Sequence, residues 1–393
     1  MTSLLYESST RTQVNLIQDH ELSYAQLVSD SPYSNNCPVV DRDDVALHQN
    51  VVYVLDSTKS GPELRTIDTS VYGRIIRPLF EDVFKVKHTY VATTSSTSIE
   101  EFSSTLESTG KPILMIIIAG DTSVGEFVNS LSKKSSGKIK VFVVPAGTGN
   151  SLALSLGITD EAKAIQRLFL HTDENVSPFH LYEAKFPEGS FLLQNTGRQK
   201  PLLGPVLFVV VASWAFHASL VADSDTEEMR KHGINRFKVA AHENLTRRQE
   251  YNGILTIEGE KNKKIVHKGP FAYLVITPSQ KFEPTFTISP KGDIFNSDLY
   301  VIGFQTENDE SYILEIMKEV YNEGAHTKDE RVFYDQVDNQ STIAVTLGRN
   351  QSLETRRFCI DGAVVVVPDN EENILRVGYH GSKVAGWDIS IVN

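Results

Sequence analysis

The run ILMIIIA, Ile113 to Ala119, contains no polar residue and stops at Gly120. Its unbroken apolar character suits a strand buried on both faces. Asp121 follows, and then Val124, Phe127, Val128 and Leu131 recur at helical spacing in DTSVGEFVNSL. A doubly buried strand feeding straight into an amphipathic helix is the unit of a parallel sheet. Related units lie around it. NVVYVLDSTKSG carries a strand at Val51–Leu55, and Val71, Ile75, Leu79 and Val83 mark a helix to Phe84. KHTYVATT reads as a strand before the helix SIEEFSSTLEST, where Ser98 and Glu101 form a capping box. KIKVFVVPAGTGN precedes a short helix, Ser151–Leu156, closed by Gly157. These segments predict an α/β domain over 49–165, a parallel sheet with flanking helices. Ligands bind such sheets at the carboxyl ends of the strands, where DSTKSG, AGDTS and PAGTGN lie.

From about residue 166 onward the texture changes to short alternating segments such as NGILTIEG, PFAYLVITP and STIAVTLG, separated by turn residues. That pattern predicts a β-rich sandwich domain over 166–393, interrupted by helical patches at SDTEEMRKHGINRFKVAAHENL and ESYILEIMKEVYNEGA. The apolar run PVLFVVVASWAF, Pro205–Phe216, reads as one buried strand. Residues 1–48 are polar and lack a clear period, which predicts an extension ordered in part at best. A formal net charge of −12 argues against a general nucleic-acid binder, since that affinity comes from clustered Lys and Arg. Cys37 and Cys359 give neither a disulfide framework nor metal-ligand spacing, and no signal-peptide core is visible. The expected location is cytoplasmic, with peripheral membrane contact left open.

Two loops carry the chemistry. Gly147 and Gly149 bracket Thr148 between a strand and a helix, where backbone N–H groups can approach an anion, with Asn150 as a further donor. A plain βα turn is the simpler reading. Asp121 is either a helix cap worth about 1 kcal/mol or a carboxylate in a phosphate cleft that coordinates Mg²⁺. Arg230, Lys231 and Arg236 are either a triphosphate-binding cluster or a solvated face balanced by Glu227 and Glu228. Ser224 with Glu227 makes a capping box. Trp214 and Phe216 are core residues or lipid contacts.

AGDTSVGEFVNSL and VPAGTGNSLALSLGI together resemble the nucleotide-binding signature of the diacylglycerol kinase catalytic family, which includes sphingosine and ceramide kinases. The family patterns are Gly-Gly-Asp-Gly-Thr and Pro-x-Gly-Thr-Gly-Asn. STKSG stands where the family has Asn-Pro-x-Ser-Gly. The stretch from Ser213 to Phe237 is similar to a sphingosine-kinase segment, and CIDGAVVVV falls where Asp-Gly-Glu is expected. By this resemblance Gly120 and Asp121 handle ATP phosphates and magnesium, with Asp121 the catalytic carboxylate. Gly147, Thr148, Gly149 and Asn150 form the second phosphate loop, and Ser60 and Gly61 the first. Asp223 and Asp225 grip a lipid head group, Arg230 and Arg236 neutralise phosphate, and Asp361 and Gly362 close on the active site. Thr122 stands in place of the glycine after the aspartate, Ala119 in place of the first glycine, and Ala363 in place of the glutamate.

The expected molecule is thus an ATP- and Mg²⁺-dependent lipid kinase with its active site in the cleft between its two domains. The favoured acceptor is a sphingoid base, with diacylglycerol or ceramide possible in its place. The alternative is a pseudokinase that binds nucleotide or lipid as a sensor or scaffold, to which Thr122 and Ala363 point. A soluble-metabolite kinase is a third option, because NAD kinases share the Gly-Gly-Asp loop.

Overall fold

Residues 1–48 depart most from expectation. They form a four-stranded sheet of β1 (Thr2–Glu7), β2 (Thr12–Asp19), β3 (Leu22–Val28) and β4 (Val39–Val40), in the order β3-β2-β1-β4. The segment is ordered despite its polarity: Leu4, Leu5, Tyr6, Val14, Cys37, Val40, Val45 and Leu47 are buried in it, beside the polar Glu7, Thr12, Gln13 and Asn15. A buried carboxylate ties its first hairpin. Glu7 accepts hydrogen bonds from the backbone N–H and hydroxyl of Ser9 and Thr10, and from the Arg42 N–H. Burial pushes the Glu7 carboxyl up, but these donors outweigh it and hold it at about 2. The buried Arg74 joins the sheet to the next layer by donating to the Ser23 carbonyl and pairing with Glu161 at 2.5 Å.

The computed structural model describes the chain except residues 34–35, 59–63, 194–198, 233–234, 260–262, 309–310 and 371–372, and the side chains of Glu227 and Arg230. Its contacts divide it into two units. The first is Met1–Phe179 with Ser382–Asn393, and the second is His180–Gly381. The expected split at 165/166 therefore gives way to one in which the C-terminal residues return to the first unit.

In the first unit, β5 (Val51–Asp56), β6 (His88–Ala92), β7 (Ile113–Ala119) and β8 (Gly137–Pro145) are parallel, and the C-terminal strand Trp387–Val392 lies parallel to β8. The order from that last strand is β8-β7-β5-β6, so β7 is interior and every one of its residues is buried. β9 (Val176–Pro178) pairs antiparallel with the C-terminal strand. The helices are α1 (Ser98–Ser104), α2 (Asp121–Asn129), α3 (Ser151–Ser155) and α4 (Glu161–Leu170), with a helix of π-type turns at Tyr72–Ile76 and Leu79–Val83. The N-cap of α1 is Thr97, whose hydroxyl donates to Glu101; the Ser98 hydroxyl instead accepts from Thr94 and Ser95.

The second unit contains a six-stranded and an eight-stranded antiparallel sheet with one core, which includes Trp214, Phe208, Phe271, Phe358, Leu255 and Val345. Trp214 is fully buried, stacks on Phe358 and donates its indole N–H to the Thr355 carbonyl; Phe216 is also buried. Both are core. The helices here are α5 (Phe216–Ser224), α6 (Glu227–Arg230), α7 (Arg236–Leu245) and α8 (Tyr312–Tyr321). Thr226, not Ser224, caps α6.

The apolar run expected as a single strand is two, Val206–Phe208 and Ala212–Ala215. It breaks because the N–H groups of Val209, Val210 and Val211 all turn to the Asp361 carboxylate, at 2.7, 2.9 and 2.7 Å. At its end, the buried Ala215 adopts φ 62° and ψ −139°, a conformation populated freely only by glycine, and α5 begins.

Candidate functional site

The loops after β7 and β8 meet at two glycines. A Cβ on Gly147 would lie 2.4 Å from the Gly120 Cα, and one on Gly120 would lie 2.8 Å from the Gly149 carbonyl oxygen. No other residue permits that approach, although Gly120 itself has an ordinary φ of −95°. The Ala146 N–H donates to the Ala119 carbonyl, which extends the β7–β8 pairing into the loops.

Asp121 opens α2 but serves another helix. Its Oδ2 accepts the Ser151 N–H at 2.8 Å and its Oδ1 the Leu152 N–H at 3.0 Å, so the carboxylate sits on the amino end of α3. Of the two readings open from sequence, the structure displays a cap, though across two loops instead of at its own helix. Burial pushes this carboxyl up, and the Leu152 and Ser151 N–H groups pull it partly back.

Asn150 closes its own loop: its Oδ1 accepts the Gly147 N–H at 2.9 Å and its Nδ2 donates to the Gly147 carbonyl at 2.8 Å. Among the described residues, the backbone N–H groups of Thr148 and Gly149 have no internal partner. Thr122 is exposed on the first turn of α2 with a helical backbone, so its place does not require glycine. Ser123 is buried and its hydroxyl meets that of Ser57 at 3.3 Å. Ser60 and Gly61 lie outside the described residues.

Sequence reasoning missed a charged pair beneath these loops. Asp56, the last residue of β5, is fully buried; its Oδ2 accepts the Tyr90 hydroxyl at 3.2 Å, and its Oδ1 lies 3.8 Å from Arg65 Nη2 with no hydrogen-bond partner. Burial pushes the Asp56 carboxyl up, against opposing effects from Ser70, Arg65 and Tyr90. Arg65 donates through Nη1 to the Ala146 carbonyl at 2.6 Å and through Nη2 to the Ser57 carbonyl at 2.7 Å. The available signal was Asp56 itself, a carboxylate closing an apolar strand just as Asp121 follows one.

In the second unit, Asp223 accepts from Arg357 Nη1 at 2.6 Å and from Asn244 Nδ2 at 2.9 Å. Asp225 ends α5 and lies 4.0 Å from Arg236, whose guanidinium also covers the Phe237 ring. The two acids therefore face different partners. The Arg230 side chain lies outside the described residues. Asp361 and Gly362, with φ 46° and 89°, form the two-residue turn of a hairpin in which Ile360 pairs with Ala363. Ala363 is half-buried at the start of the returning strand.

Among the described residues, no group of three or more His, Cys, Asp or Glu is placed to hold a metal ion. Asp121 alone, with each oxygen already accepting a backbone N–H, does not make a magnesium cage. The loop N–H groups do fit a polyphosphate, to which they offer donors without a charge of their own.

Residues 66–181 match the diacylglycerol kinase catalytic domain. The matched segment contains the Gly120 and Gly147 loops and leaves out the Asp56–Arg65 loop and the later landmarks. A solved diacylglycerol kinase from Bacillus anthracis str. Sterne is similar at 12% identity and a TM-score of 0.51, over 87% of this chain and 96% of that one. Two further structures from that organism, named provisionally as diacylglycerol kinases, align over 87% of this chain. The first has 13% identity, a TM-score of 0.56 and 96% of its own chain covered; the second has 14%, 0.54 and 97%. At these identities the likeness shows the fold, an α/β unit with a β-rich one. No curated protein matches the chain by sequence.

Proposed function

We propose that the chain is an ATP-dependent kinase of the diacylglycerol kinase type, which transfers a phosphoryl group to a hydroxyl of a long-chain lipid. The observation that carries this reading is the domain match over 66–181, because its two glycine loops meet backbone to backbone and leave the Thr148 and Gly149 N–H groups undirected. Phosphoryl transfer depends mainly on positioning and charge stabilisation, which rigid loop donors supply. In this reading Gly120, Thr122, Gly147, Thr148 and Gly149 present backbone to the phosphates, and Asn150 shapes the loop. Asp121 holds the α3 end against the α2 end, and magnesium arrives with the nucleotide. From sequence, the Asp223–Asp225 pair speaks for a cationic head group such as a sphingoid base. With Asp223 committed to Arg357 and Asn244, that support is weaker, and the head group is left to experiment.

A second reading, nucleotide binding without transfer, is favoured by Ala363, which brings a methyl group to the position of the family's carboxylate. Incubation with labelled ATP, magnesium and mixed micelles of sphingosine, diacylglycerol or ceramide separates the two. A labelled lipid supports the kinase. Calorimetric ATP binding without product supports the second reading, and no ATP binding at all removes both.

A further inference from the structure

The strands β5 and β8 are not neighbours; β7 runs between them, so their ends stand about 10 Å apart. The Arg65 guanidinium nevertheless donates to the carbonyls of both ends, Ser57 after β5 and Ala146 after β8, and so spans the end of β7. The Arg65 N–H also returns to the Thr58 carbonyl at 2.9 Å, which fixes the base of the side chain. The fork geometry matters here, because two carbonyls in different directions need two N–H groups on one rigid plane. Underneath, Asp56 supplies the opposite charge from a fully buried position, with the Tyr90 hydroxyl on its other oxygen. The end of β7 makes its own contacts with both of the ends that Arg65 joins. Ala146 bonds Ala119, the Ser123 and Ser57 hydroxyls meet, and Gly120 presses on Gly147.

We propose that Arg65, held by Asp56, is a positioning residue that sets the spacing of the two glycine loops and hence the seat of Asp121 on α3. The proposal rests on the nucleotide reading for its purpose but not for its geometry, so its test has two arms. In the first, amide hydrogen exchange is followed at Ser151 and Leu152, whose N–H groups bond Asp121. In the second, ATP is titrated into each variant by calorimetry.

Arg65→Met alone strands a buried carboxylate, so it is combined with Asp56→Asn, which removes the charge. The folded Arg65→Met/Asp56→Asn chain is expected to exchange those two amides about tenfold faster than the parent. It should also bind ATP at least about tenfold more weakly. Arg65→Lys, with the charge but no fork, should fall between them, and it carries the exchange arm if the double variant does not fold. Unchanged exchange at Ser151 and Leu152 in a folded variant overturns the proposal. If the parent binds no ATP, the nucleotide reading falls and the exchange arm still decides the role of Arg65.

Discussion

A single methyl group at position 215 separates strain from burial. Ala215 sits in a glycine-only backbone region, which costs about 1–3 kcal/mol, while replacement by glycine forfeits a buried methyl worth about 0.8 kcal/mol and some chain entropy. Ala212, three residues earlier on the same buried strand, has no such strain to relieve. Ala215→Gly should therefore be neutral or stabilising in urea unfolding, while Ala212→Gly should destabilise, with about 1 kcal/mol or more between them. Asp121→Asn offers only one acceptor oxygen to two N–H donors and turns its amide on the second. It should cost about 1–3 kcal/mol and increase exchange at α3, whether or not transfer is lost. Glu7 gives a pH signature. Its carboxyl is lowered in the fold from 4.5 to about 2, so its contribution is complete above pH 4.5 and is lost as pH falls through about 2. Glu7→Gln should lower stability at pH 6 and flatten the loss between those two values, as read from urea midpoints at stepped pH.

At the level of strands and turns, Gly147→Ala puts a side chain 2.4 Å from the facing backbone. A cost of about 2 kcal/mol or more and weaker ATP binding are expected from unfolding curves and calorimetry. Asp361→Ala leaves three buried N–H groups without an acceptor, and about 3–5 kcal/mol should be lost, with Val209–Val211 exchanging faster. These elements also mark what the sequence could tell. The β7–α2 and β8–α3 units were legible, because a doubly buried strand followed by helical spacing has few alternatives. The partner of Asp121 was not, since a cap across two loops pairs residues thirty apart and leaves no local pattern. Asp361-Gly362 carries the Asp-Gly signal of a two-residue hairpin, but the break it makes in the Val209–Val211 run is long-range and silent in that run itself. Residues 1–48 were misread because β1 and β2 bury runs of residues without alternation, and those runs include the polar Glu7, Thr12, Gln13 and Asn15. Arg65 looked like any surface arginine, and its meaning comes from two carbonyls supplied by separate strands.

Across the molecule, the chain order and the structural division disagree. The strand Trp387–Val392 lies beside β8 in the first unit, with Trp387 fully buried and its indole N–H on the Ser132 carbonyl. Deleting 382–393 should therefore damage the α/β unit and leave β8 as a sheet edge; the expected outcome is loss of the cooperative transition for residues 113–145 in exchange-monitored unfolding. No helix among the described residues is long and apolar enough to cross a membrane.

The same strand has a consequence for biosynthesis. A polypeptide leaves the ribosome amino end first, so β5, β7 and β8 emerge long before their last companion does. Throughout that interval the Gly137–Val141 edge of β8 lacks the strand it will pair with, which makes the nascent chain a template for unwanted pairing. The arrival of Trp387–Val392, and not completion of residues 49–165, is the moment when this half of the molecule can mature. A chain cut before Trp387 would be a product prone to aggregate.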